Sequence, residues 1–225
     1  MGLQRPITMM SSDKKADIVF CIDHSGSMSD CIAGVKATVK DFVSSLEKGV
    51  EGQSPVDCQI GLVSYSQEEL LFFDLTKDTE AFKTKLGQDV EGGNEFTPGA
   101  IDFAVSNASW RMGAQRVIVV FTDERLSTGG SSGEGDGRSK FDDLLKKIVD
   151  SNVQIIYYGP SCPYYSKFNV CPKAEVNIVD DFSGVRFDSL MKRLAVTVSS
   201  NSAAANNKPA VKTIIYNKAK INIKK

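Results

Sequence analysis

Hydrophobic positions along the chain follow two alternating periods. Largely apolar runs at Ile18–Ile22, Cys58–Tyr65, Arg116–Thr122, Val153–Tyr158 and Val176–Val179 are short and rich in β-branched residues. Such runs predict buried strands. Between them, apolar residues recur every three or four positions. The sets are Ile32, Val35, Val39, Phe42, Val43 and Leu46; Ile101, Ala104, Val105 and Ala108; Phe141, Leu144, Leu145 and Ile148; and Phe187, Leu190, Leu194 and Val198. That spacing predicts helices with one buried face. Leu70–Leu75 follows Cys58–Tyr65 across the polar turn Ser66–Glu69, which predicts a hairpin, and Thr79–Leu86 reads as a short helix. Strands alternating with helices imply an α/β fold. The expected architecture is a doubly wound, mostly parallel sheet with one antiparallel edge strand and helices on both faces.

Composition sets the domain plan. The chain has 225 residues, 41% of them hydrophobic, enough for one core. The expected division is an N-terminal extension at 1–15, a domain at 16–198, and an Asn/Ser/Ala linker with a Lys-rich tail at 199–225. That tail holds six lysines and no acid, so the rest carries 28 acids against 21 bases, a net of −7. An acidic body argues against nucleic acid as the main partner. Val211–Tyr216 could form a strand; the tail is otherwise a solvated segment, a strand for a partner's sheet, or a contact for an acidic surface. No apolar run approaches a membrane span and Met1–Ser12 lacks a secretory core. A cytoplasmic location is expected, or an extracellular one if the chain is an excised domain. Among the five cysteines, Cys21 and Cys58 read as buried thiols, and Cys162 and Cys171 could be bridged in an oxidising compartment. With one histidine and no C-x-x-C, a structural zinc site is a poor fit.

The candidate chemistry lies between the first strand and the first helix, in Asp23-His24-Ser25-Gly26-Ser27-Met28. Asp23, Ser25 and Ser27 alternate, so an extended turn aims one carboxylate and two hydroxyls to the same side. Such oxygens suit a hard cation, Mg2+ first, with Mn2+ or Ca2+ as alternatives. The plainer reading is that the serines cap the helix. The strand Arg116–Thr122 ends at Asp123 in the same way. Ligands of open parallel sheets bind beyond the carboxyl ends of the strands where the order reverses, which brings Asp23 and Asp123 to one crevice.

The run D-x-S-G-S-M after a buried strand resembles the metal-ion-dependent adhesion site of von Willebrand factor A domains. The likeness extends over most of residues 16–198. In that family a threonine from a second loop joins the site, within G-G-x-T-x-T-G-x-A-[IL]. Here Gly92–Ile101, aligned without gaps, places Glu95 at the threonine position and Thr97 two residues later. A related sub-pattern, G-G-x-D-x-P-E-A, carries an acid there, and Trp110–Asp123 is similar to the W-R-x-G-A-x-R-V-I-V-x-x-T-D that follows it. Glu95 is therefore the preferred second-loop ligand and Thr97 the alternative. The family's T-D-G is altered, because Glu124 and Arg125 follow Asp123.

The resemblance implies a binding module and not an enzyme. A divalent cation on Asp23, Ser25, Ser27, Glu95 and Asp123 would accept an Asp or Glu side chain from a partner protein. Alternatives are an intracellular adaptor for an AAA+ ATPase complex, or a metal-stabilised structural domain that binds through its basic tail. Metal-assisted hydrolysis fits less well. There is no second histidine for a triad, and there is little basic charge near the site apart from Arg125.

Overall fold

The computed structural model describes residues 14–66, 69–88, 97–125, 137–203 and 212–216. Strands β1 (Lys15–Asp23), β2 (Asp57–Tyr65), β3 (Leu70–Thr76), β4 (Gln115–Phe121), β5 (Val153–Gly159), β6 (Glu175–Val179) and β7 (Lys212–Tyr216) form one sheet. Their order is β3-β2-β1-β4-β5-β6-β7. Every neighbouring pair is parallel except β2–β3, the antiparallel hairpin at one edge. The mostly parallel sheet that the sequence predicts is thus the sheet that forms.

Period-two alternation divides the interior into two layers. From β1, Ala16, Ile18, Phe20 and Ile22 enter one core, with Val117, Val119 and Phe121 of β4 beside them. Helices α1 (Ser29–Lys48), α2 (Thr79–Leu86) and α5 (Phe187–Ala203) cover that first face. Val19 and Cys21 of β1, with Ile118 and Val120 of β4, enter the second core. There they meet α3 (Thr97–Asn107), α4 (Gly137–Asp150) and a 3-10 helix at Tyr165–Val170. Burial on both faces explains why the central strands read as continuous apolar runs. The five cysteines are buried thiols, and Cys162 and Cys171 are not bridged.

Helix α1 packs along α5 with little clearance. A Cβ at Gly34 would lie 2.2 Å from Cδ2 of the Phe187 ring. Gly34→Ala therefore forces the ring or the whole of α5 outward. Overpacking of this kind costs about 1–3 kcal/mol. A urea titration of Gly34→Ala should show that loss with an unchanged slope.

At the end of the sheet where β1, β2 and β4 begin, Arg111 binds two acids. Its backbone N–H and its Nε donate to the two carboxylate oxygens of Asp17, at 2.6 and 2.7 Å. Nη1 donates to Asp57 at 2.9 Å, and Nη2 to the carbonyls of Ala16 and Asp57. Asp17 is fully buried inside β1. This network lets the strand begin at Lys15, ahead of the apolar run.

Candidate functional site

The opposite end of the sheet is rich in oxygen. β1 ends at Asp23, whose carboxylate is fully buried. The backbone then closes tightly: His24 N–H donates to the Tyr65 carbonyl at 2.8 Å, and Ser25 N–H donates to Asp23 Oδ1 at 2.9 Å. A 3-10 turn at Gly26–Met28 leads into α1. Neither the turn nor α1 has a side-chain cap hydrogen bond, although serine occupies the capping position of the turn. Ser25 and Ser27 instead bring their Oγ atoms to 3.0 Å from each other. The capping explanation for these hydroxyls therefore does not hold.

Alternation along β4 explains the second contributor. Thr122 follows Ile118 and Val120 on the face that Asp23 shares, and its Oγ1 donates to Asp23 Oδ2 at 2.9 Å. Thr122 is fully buried and its Oγ1 also accepts from Glu124 N–H at 3.0 Å. Thr97, the first residue of α3, is fully buried as well. Its hydroxyl lies 2.8 Å from the Tyr65 hydroxyl and 3.4 Å from both Thr122 Oγ1 and Glu124 Oε2. Asp23, Ser25, Thr97, Thr122 and Glu124 are thus joined to Ser27 and Tyr65 in one set of polar contacts. Asp123 is half-buried at the end of the adjacent strand. Glu95 lies outside the described residues.

The set carries a negative field. Burial pushes the Glu124 carboxyl up to about 7, and the charges of Asp23 and Asp123 add to that rise against the opposing Thr97 hydrogen bonds. Cys31, buried in the first turn of α1, is raised by burial and then by the same two carboxylates. Asp23 and Asp123 therefore act on common neighbours, as expected of acids at the ends of adjacent strands. Carboxylate and hydroxyl oxygens are the donors a hard cation takes. Among the described residues, no group of three or more His, Cys, Asp or Glu is arranged to hold a metal ion. The charged part of the set is small and hydroxyls supply the rest.

Thr122 and Tyr65 are the members that motif reading did not single out, and Glu124 entered there only as a change to T-D-G. Register offers a signal for Tyr65, which pairs directly with Asp23 across β1 and β2. For Thr122 the signal is parity with Val120 and Ile118. An open cleft of about 610 Å³, lined by Lys14, Lys15, Arg116 and Lys173, lies at the other end of the sheet and shares no residue with this set.

Residues 17–183 match the family model of the von Willebrand factor type A domain. The chain belongs to this family. Three solved structures share the fold. Proximal thread matrix protein 1 from the mussel byssus is 16% identical with a TM-score of 0.60, over 83% of this chain and 46% of its own. A von Willebrand factor type A protein from Catenulispora acidiphila is 14% identical with a TM-score of 0.56, over 83% and 43%. The pilus adhesin SpaC from Lactobacillus rhamnosus GG, in its open conformation, is 16% identical with a TM-score of 0.55, over 84% and 30%. The chain thus spans less than half the length of each. No curated protein sequence matches it. Type A domains serve in adhesion and protein–protein interaction. Among the described residues, no helix of this one is long and apolar enough to cross a membrane.

Proposed function

We propose that this type A domain is a metal-dependent protein-binding module of the adhesive or scaffolding kind, and not an enzyme. The observation that carries this reading is the pair of Ser25 and Ser27 hydroxyls, 3.0 Å apart and not engaged in helix capping, beside the buried Asp23 carboxylate. Asp23, Ser25 and Ser27 would hold a divalent cation, Mg2+ first and Mn2+ or Ca2+ as alternatives, with Asp123 and either Thr97 or Glu95 completing the set. The ion supplies an electrophilic position for the Asp or Glu side chain of a partner protein. Residues 16–198 form the binding domain in this reading, and 1–15 and 199–225 flank it.

Glu124 stands where the family has a small residue, and its contact with Thr97 bears on the second-loop choice. Thr97 is supported by its burial and by its 2.8 Å contact with Tyr65. The test is thermal unfolding in Mg2+ and in EDTA. A ligand bound only by the native state, at one hundred times its Kd, adds about 2.7 kcal/mol and raises the Tm of a chain this size by about 5–10 °C. Asp23→Ala should abolish the shift, and the weaker of Thr97→Ala and Glu95→Ala identifies the second-loop ligand. No Mg2+ shift in the native chain, or the same shift in Asp23→Ala, overturns the reading.

A further inference from the structure

The seventh strand sits on the sheet with an unusual connection. In β1–α1–β2 the chain moves toward the β3 edge with α1 on the first face. In β4–α4–β5 it moves the other way with α4 on the second face. Reversing both direction and face preserves the hand, so these two units agree, and parallel crossovers are right-handed in about 98% of cases. In β6–α5–β7 the chain again moves away from the β3 edge, but α5 lies on the first face, where Leu190, Met191 and Leu194 share a core with α1. That crossover has the opposite hand. It also lies beyond residue 183, where the family match ends.

A strand delivered by a different molecule makes no crossover and carries no such constraint. We propose that the β6 edge accepts residues 212–216 of a second copy of this chain, so that two copies exchange their C-terminal strands. The contacts are the same whichever copy supplies the strand, in the register Glu175↔Lys212 through Val179↔Tyr216. Only the connection changes, which is the general condition for exchange of an element between copies. Charge favours it. The donated tail holds six lysines and no acid, and the body it approaches carries 28 acids against 21 bases. Lys212 is placed opposite Glu175. The stretch from Ala203 to Lys212 can span about 30 Å when extended, enough to reach a neighbouring copy. This inference is independent of the metal reading.

The test uses the full chain carrying Glu175→Cys and Lys212→Cys. After mild oxidation, non-reducing electrophoresis separates a link between two chains from a link within one, and peptide mapping identifies the 175–212 pair. The expected result is a covalent dimer joined through that pair as the main product. In the otherwise native chain, Ile214→Pro removes a backbone donor from the strand, and light scattering should then report the monomer mass in place of the dimer mass. A 175–212 link within single chains overturns the proposal, as does the absence of any link at that pair.

Discussion

Arg111→Ala is expected to lower the stability of this domain by about 3–5 kcal/mol, because it leaves a buried carboxylate without its cation. Asp17 is fully buried and takes charged or backbone donors from Arg111 on both oxygens. The same guanidinium reaches Asp57 and two carbonyls, so one side chain joins the beginnings of β1 and β2 to the loop before β4. Urea unfolding measures the loss. The double variant Arg111→Met with Asp17→Leu should recover a large part of it, since an apolar pair leaves no uncompensated charge. A loss below about 1 kcal/mol in Arg111→Ala would mean that water takes over from the guanidinium at Asp17. A pH signature accompanies the network. Burial raises the Asp57 carboxyl, but Lys77 and Arg111 together outweigh it and the net shift is downward. A depressed carboxyl contributes stability above its unfolded value, near 3.9 on average, and that contribution disappears as pH falls through the folded value. The acid limb of the native chain's stability profile should therefore flatten in Arg111→Ala.

The same network marks the limit of what the sequence discloses. Apolar runs located the buried strands and three-to-four spacing located the helices, because each element is sorted by which face it buries. Asp17, by contrast, reads as the end of a strand until its partner, 94 residues away in sequence, is known. Helix α5 extends to Ala203, into a stretch whose Asn, Ser and Ala composition suggests a linker. One of its serines finds partners that composition cannot reveal: the Ser202 hydroxyl lies 2.6 Å from Gln115 Oε1 and 2.8 Å from the Val198 carbonyl. Ser199, one turn earlier, is buried. The aromatic segment after β5 is similar: Tyr165 and Phe168, three apart on a 3-10 helix, are buried in the second core. At the candidate site, local spacing was enough to single out Asp23, Ser25 and Ser27. Thr122 and Glu124 depend on the pairing of β1 with β4, and pairing is a property of the assembled sheet.

That dependence is put at risk by one methyl group. Gly159 closes β5 against the last residues of β4, and Thr122 N–H donates to the Tyr158 carbonyl at 3.2 Å. A Cβ at Gly159 would lie 2.5 Å from the Thr122 carbonyl oxygen and 2.5 Å from the Tyr157 hydroxyl. A flexible side chain could move aside, but the carbonyl belongs to the backbone that aims Thr122 at Asp23. Gly159→Ala must then displace the end of β4, and the 2.9 Å bond from Thr122 Oγ1 to Asp23 is the first contact to lengthen. The expected cost is about 3 kcal/mol, the upper end for overpacking, since the obstructing atoms include main chain. Thr122→Val is the companion variant, because it removes the hydroxyl and leaves the strand in place. If Thr122 orients the Asp23 carboxylate, both variants should lose most of the Mg2+-dependent rise in Tm, while Gly34→Ala, which disturbs the first face away from these oxygens, should keep it. Retention of the full shift in Gly159→Ala and Thr122→Val would show that Asp23 is held by its own turn alone, through the Ser25 N–H, and that β4 contributes nothing to its aim.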